Sequence, residues 1–285
     1  MIAKRGSPVS PILWRNETTQ GLRMRLCASE SAHIKVGIYT TGLSEASMSE
    51  GKRAVQESGL SRKRLMDIYE RLYMRFGPQD WWPGETKLEV CLGAILVQNT
   101  SWTNAARAIG NLKKEGLLTE GALKKVRRDR LARLIRPARF FNMKAKRIKG
   151  FVAYLSKHFD SDVDNFLSLP TEELHEELMG LDGVGRETAD SITLYAAGRL
   201  AFVVDAYTKR IFARLGHFAA SKNGDRDYLA LQESLTAHLP EDVALFNEYH
   251  ALLVRLGHTF CRPTPNCGEC PLRAVCPYPG DDAED

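Results

Sequence analysis

The chain has 285 residues, enough for one large or two medium domains, and with 44% hydrophobic residues it can bury a substantial core. Its formal charge of +5 understates the basic excess, because four of the last five residues, DDAED, are acidic and the remainder is +9. The longest apolar run, Val90–Val97, is eight residues and far too short to span a bilayer, and the N-terminus lacks the apolar centre of a signal peptide, so a soluble cytoplasmic protein is expected.

Residues 1–60 are rich in Ser, Thr, Gly and charge and show no sustained period. They are expected to be poorly ordered, with a lone alternating stretch at His33–Tyr39, and Met48 is an alternative start that would lose none of the motifs below. From Ser61 the pattern turns helical. Leu65, Ile68, Tyr69, Leu72, Tyr73 and Phe76 form one apolar stripe, stopped by Gly77-Pro78. A loop, PQDWWPGET, follows. Leu88, Cys91, Leu92, Ile95 and Leu96 repeat the helical spacing, and Val90 and Val97 make that helix apolar nearly all round, hence central.

Ser101–Glu115 reads as a third helix. Residues 113–149 hold fourteen Lys or Arg against three acids, the electrostatic footprint of a polyanion partner. Ala145, Ile148, Val152 and Leu155 mark another helix, expected to carry Lys144, Lys146, Arg147 and Lys149 on its outside. Leu169-Pro170-Thr171 opens another, with Thr171 as its expected cap. Further helices fall at about 187–197, 205–215, 227–238 and 242–258. No Asn-Gly hairpin joins alternating runs, so the fold class is all-α.

Three segments carry chemistry. In LDGVGRETADSI a helix ends near Gly180, the chain turns at Gly183-Val184-Gly185 and a helix restarts at about Arg186. That bend exposes backbone N–H groups beside a positive helix end and suits a phosphate, although an ordinary turn between helices has the same look. Asp205, in VVDAYTKR, suits a helix cap and also a carboxylate facing developing positive charge. Cys261, Cys267, Cys270 and Cys276, spaced Cys-x5-Cys-x2-Cys-x5-Cys, form a compact thiol set that fits zinc or a 4Fe-4S cluster. Cys27 and Cys91 are isolated. In the loop after the first helix, Trp81-Trp82-Pro83 offers aromatic faces on which an extruded base can stack.

The hairpin, the following AAGRLAFVVDAYTKRIFARLG and the cysteines resemble the endonuclease III superfamily of helix-hairpin-helix DNA glycosylases over about residues 62–277. The resemblance implies a six-helix barrel over 85–199 and a cluster-bearing helical domain made of 61–84 with 200–278, followed by an acidic tail, 279–285. It implies a monomer gripping double-stranded DNA with a damaged base in the cleft between the domains. Asp205 falls at the catalytic aspartate, and Gly183 and Gly185 at the backbone clamp. Gln98 falls at the residue that fills the gap left by a flipped nucleotide. The cysteines fall at a 4Fe-4S site that would turn Arg262 or Arg273 toward phosphates.

Bifunctional members carry a lysine where this chain has Glu187. A carboxylate cannot form the Schiff base of lyase chemistry, and Lys209 is not at the family's position, so a monofunctional enzyme is expected. The glutamate of adenine-specific relatives is replaced by Ala94, beside Gly93. GPQDWWPGET and GAILVQNTSW resemble the 3-methyladenine branch, which implies an alkylated purine as substrate, with Trp81 and Trp82 in the base pocket. The alternatives are an oxidised-pyrimidine glycosylase with lyase activity, a non-catalytic DNA-binding module, and a zinc scaffold.

Overall fold

The computed structural model describes residues 60–221 and 223–278; the expectations for the N-terminal segment before Leu60 and for the acidic tail lie outside them. Every regular element among the described residues is helical. α1 (Arg62–Phe76) is capped by Ser61, whose side chain accepts from the Arg64 amide, and stops at Gly77, where φ is 68°. α2 (Lys87–Val97) begins under Thr86 and buries all of Leu88–Leu96. α3 (Trp102–Lys114) is capped by Ser101. Each cap supplies an acceptor for an amide that the helix itself cannot satisfy.

α4 (Glu120–Lys125), α5 (Arg128–Leu134) and a 3-10 turn, Arg136–Ala138, then lead into α6 (Phe141–His158). α7 (Val163–Leu167) and α8 (Thr171–Met179) complete this part of the chain. The cap of α8 is Pro170 and not Thr171, which is the first helical residue and makes no capping bond. Proline's fixed φ starts the helix in place of a side-chain acceptor. α9 (Arg186–Ser191) runs into a π-type turn, Ile192–Ala196. α10 (Ala206–Arg214), α11 (Gly224–His238) and α12 (Val243–Thr259) are capped by Asp205, Asn223 and Asp242.

These helices bury two apolar clusters. One gathers α2 to α9; the other gathers α1 with α10, α11 and α12. The π-type turn is the seam between them. Ile192 and Ala196 belong to the first cluster, Leu194 to the second, and Tyr195 packs against both.

A buried carboxylate ties this seam. Asp190 on α9 is 2% exposed. Its Oδ1 lies 3.1 Å from Nε2 of His175 on α8. Its Oδ2 accepts from the Tyr228 hydroxyl at 2.6 Å and the Gln232 amide at 2.8 Å, both on α11. Tyr228 in turn accepts from the Val204 amide, and Gln232 also donates to the Phe202 carbonyl. The strap 202–204 that delivers Asp205 is therefore held from α9 through α11. A buried charge is tolerated only when paired and hydrogen-bonded on this scale.

Asp190→Ala removes the carboxylate that takes the Tyr228 hydroxyl and the Gln232 amide and faces His175, so it is expected to lower the unfolding free energy by about 3–5 kcal/mol, read as a shift of the urea midpoint.

Candidate functional site

Asp205 is buried at the seam as the N-cap of α10. Its Oδ1 accepts from both the amide and the hydroxyl of Thr208, at 2.7 and 2.8 Å. Its Oδ2 lies 3.8 Å from Nε2 of His250 on α12, an electrostatic approach longer than a hydrogen bond. Burial pushes the Asp205 carboxyl upward, but His250 and the two Thr208 donors outweigh it and hold the group below the usual carboxylate range.

Glu187, at the start of α9, moves the other way. Burial of its carboxyl is the largest cause and the Asp205 charge adds to it, while His250 and Lys209 oppose the rise. The residue as a whole remains exposed, so solvent screens the effect and only the direction stands. Lys209 is occupied elsewhere: its Nζ donates to the Gly224 carbonyl at 2.9 Å and sits over the Tyr228 ring.

Trp81 and Trp82 join an aromatic cluster that leads to Asp205. Ring centroids are 4.9 Å apart for Trp81–Trp102, 5.0 Å for Trp82–Trp102, 5.3 Å for Trp82–Tyr195 and 5.9 Å for Tyr195–His250. Gly93 permits this, since a Cβ there would come within 2.9 Å of the Trp82 indole. The indole N–H groups of Trp81 and Trp82 are buried without hydrogen-bond partners.

The hairpin turns at Gly183, with φ of 78°, and Val184 is buried beneath it. Gln98, at the end of α2, braces the bend. Its Nε2 donates to the Gly183 carbonyl and the Thr188 hydroxyl, and its Oε1 accepts from Arg147 at 2.5 Å. Gly185 caps α9 and is exposed.

The outward face expected of α6 is corrected at Lys144, while Lys146 is exposed and Arg147 and Lys149 are half-buried. Lys144 is 1% exposed and donates to the carbonyls of Leu96 and Ala138; burial, then Arg147 and Arg139, bring its pKa down to about 8. Lys149 caps the end of α4 through the carbonyls of Leu123, Lys124 and Val126. These amines lie where helix carbonyls lack partners, a demand that helical periodicity does not display. Arg136 and Arg139 remain exposed.

The cofactor expected at the cysteines, a 4Fe-4S cluster or zinc, is also corrected. Among the described residues no group of three or more His, Cys, Asp or Glu side chains is arranged to hold a metal ion. Cys261, Cys267, Cys270 and Cys276 line one small cavity with Arg214. Burial pushes the Cys270 thiol up, and the three other cysteines act in the same direction. The Cys276 thiol donates to the Arg214 carbonyl, and Cys261 Sγ accepts from Arg214. The C-terminal segment is held instead by arginines of α10. Arg210 donates to the Cys261 carbonyl, and Arg214 to the carbonyls of Arg262 and Pro263. The Arg262 side chain is exposed.

Three residues of this region carried no weight in the sequence. His250 and Tyr195 read there as members of apolar helices, with no spacing to mark them. Phe140 is 59% exposed with φ of 43°, an outlying backbone state for an aromatic residue. The adjacent pair Phe140-Phe141 inside a basic run was its available signal.

A family model, the HhH-GPD superfamily base excision DNA repair protein, matches residues 92–235. A Methanocaldococcus jannaschii protein provisionally named a DNA repair glycosylase is 46% identical over 74% of this chain and 95% of its own length. Chloroplastic endonuclease III homolog 2 of Arabidopsis thaliana is 31% identical over 68% of this chain, which spans about half (49%) of that protein. Among solved structures, H. pylori 3-methyladenine DNA glycosylase bound to 1,N6-ethenoadenine has 26% identity and a TM-score of 0.58, over 70% of this chain and 98% of that one. A non-covalent endonuclease III–DNA complex has a TM-score of 0.64 over 77% of this chain and 96% of that one, and at 22% identity it is a likeness of fold alone.

Two outcomes follow from this geometry. A Cβ at position 183 would overlap the Arg147 guanidinium at a backbone φ that only glycine adopts readily, so Gly183→Ala should cost about 1–3 kcal/mol, and adding Arg147→Ala should recover only the steric part, as chemical denaturation can measure. The depressed Asp205 carboxyl contributes stability that is complete above the ordinary value of 3.8 and is lost as pH falls through the lower folded value. The melting temperatures of wild type and Asp205→Asn should therefore differ at neutral pH and converge below the ordinary value.

Proposed function

The chain belongs to the HhH-GPD superfamily of base excision DNA repair glycosylases, and on that footing we propose that it hydrolyses the bond between a damaged base and its deoxyribose without cutting the strand. The observation that carries this reading is the division of labour on Asp205. One carboxylate oxygen is pinned by Thr208, while the other is held ionised in a buried place with no hydrogen-bond donor on it.

Departure of a base builds positive charge on the sugar, as in glycoside hydrolysis. A fixed carboxylate beside the ring stabilises that charge in a low-dielectric site and accepts the proton of the attacking water. Water oxygen bonds to the anomeric carbon, the carbon–nitrogen bond breaks with its electron pair leaving on the base, and an abasic site remains. The Gly183-Val184-Gly185 bend and the free N–H groups that open α9 suit a phosphate of the same strand. Exposed Phe140, flanked by Arg139, suits insertion between base steps, which opens a duplex at the cost of stacking. Lys144 ties the turn before Phe140 to the end of α2, next to Gln98.

On substrate, the endonuclease III homolog supports an oxidised pyrimidine better than the alkylated purine expected from the Trp-Trp-Pro loop. The alkylated purine keeps one specific observation in its favour. Trp81, Trp82 and Trp102 form an aromatic cluster next to Tyr195, and a cationic base gains from aromatic faces. Strand cleavage has no nucleophile at the family's position, which holds Glu187, and Lys209 is engaged with Gly224.

Duplexes carrying single lesions, among them thymine glycol and 3-methyladenine, decide the matter after incubation and alkali treatment. Wild type should excise at least one, and Asp205→Asn should lose about a thousandfold or more in rate, the scale of removing an electrostatic stabiliser of the transition state. Nicking without alkali would refute the hydrolytic reading, full activity in Asp205→Asn would remove Asp205 from the reaction, and excision of no lesion by wild type would reduce the chain to a DNA-binding module. Borohydride should trap no wild-type protein on an abasic duplex, whereas Glu187→Lys should yield a covalent adduct detectable by gel shift.

A further inference from the structure

Between the aromatic cluster and Asp205 stands a side chain that the reaction above does not use. His250, on α12, is 6% exposed. Its Nδ1 is 2.5 Å from the Tyr195 hydroxyl. Its Nε2 is buried without a hydrogen-bond partner and points to within 3.8 Å of Asp205 Oδ2. A buried polar atom left unmatched costs about 1–3 kcal/mol, and an apolar residue here would avoid that cost on a helix whose neighbours Tyr249, Leu252 and Leu253 are core. Pairing with the Tyr195 hydroxyl accounts for Nδ1, but folding gives no reason for the unmatched Nε2.

We propose that His250 is the positioning residue for Asp205: the Tyr195 hydroxyl donates to Nδ1, so the imidazole proton sits on Nε2, aimed at the carboxylate oxygen that Thr208 leaves unbonded. This rests on the reading of Asp205 as the reactive carboxylate. The 3.8 Å gap is too long for a direct hydrogen bond, and such contacts tighten when substrate closes a site. His250 then fixes the direction of Oδ2 while the water proton arrives, a role like that of an orienting partner behind any acid–base pair. Tyr195 can serve as the donor because burial, and then the Asp205 and Glu248 charges, keep its phenol protonated far into alkali. Its ring also touches Trp82, so the brace behind His250 is in contact with the proposed base pocket.

The groups facing Asp205 come from every element around it. Glu187 on α9 is the carboxyl that the Asp205 charge raises, Thr208 on α10 and His250 on α12 favour ionisation of Asp205, and Tyr195 stands behind His250 at the seam. Lys209, on α10, lowers Glu187. Removing His250 leaves Thr208 alone against burial.

The test follows the Asp205 carboxyl by carbon NMR on the full chain labelled at aspartate, with the resonance assigned by its loss in Asp205→Asn. In His250→Leu its titration midpoint should rise by about one pH unit, with a smaller rise in His250→Gln, whose amide can still donate. Tyr195→Phe should raise it too, and the acid limb of the excision pH profile on the reactive lesion duplex should move with the midpoint. An unchanged midpoint in His250→Leu overturns the proposal; if circular dichroism shows that variant unfolded, unchanged midpoints in both His250→Gln and Tyr195→Phe overturn it. Loss of excision in Asp205→Asn with unmoved midpoints in the histidine variants removes only the role of His250. Wild-type excision by Asp205→Asn removes the reading of Asp205 itself.

Discussion

The buried carboxylate of Asp190 is the constraint on which the arrangement depends. It lies where two apolar clusters meet, and neither cluster would accept a lone charge. It draws His175, Tyr228 and Gln232 onto itself from α8 and α11, and two of these partners hold the strap that ends in Asp205. The hairpin and Asp205 are distant in sequence by about twenty residues, yet one residue of α9 sets both. Hydrophobic packing could join the two clusters in several registers. A carboxylate that needs three donors permits far fewer.

The same logic governs the basic segment. A run of Lys and Arg invites reading as a solvent face awaiting a polyanion. In the folded chain the amines of Lys144 and Lys149 fill carbonyl vacancies at helix ends, and Arg147 braces Gln98 across the hairpin. Each of these satisfies backbone or side-chain acceptors that packing would otherwise strand. The net charge still favours DNA at long range, but it is delivered by the residues left outside, such as Arg136 and Arg139.

In the function proposed above Asp205 is both a capping aspartate and a reactive one, and the two roles need not compete. A carboxylate has two oxygens, and a cap occupies one. Thr208 takes Oδ1 and thereby orients the group, which leaves Oδ2 at the seam toward His250. The neighbouring Glu187 is driven in the opposite direction by burial first and by the Asp205 charge second. Two interacting carboxylates are thus pushed in opposite directions by their surroundings.

Helices with a long apolar stripe were legible in the chain because their period repeats three or four times: α1, α2, α3 and α6 all fall where Leu, Ile, Val and Ala recur, whereas the short α9 was placed by the glycine bend before it. α4, α5 and α7 were not, since five to seven residues cannot establish a period of 3.6. The bend at Gly183, the cap at Asp205 and the aromatic loop could be named from local chemistry, because each depends on residues adjacent in sequence. The cysteine spacing was equally visible but misleading about a cofactor, because spacing states which sulfurs can meet and not what else claims them. What only the tertiary structure decided is which distant groups meet: Asp190 with Tyr228, Lys144 with two helix ends, Arg214 with the C-terminal segment, and His250 with Asp205. Those pairings are fixed by burial, which turns an unsatisfied charge or hydrogen bond into a cost of folding, and burial is a property of the packed chain rather than of any segment of it.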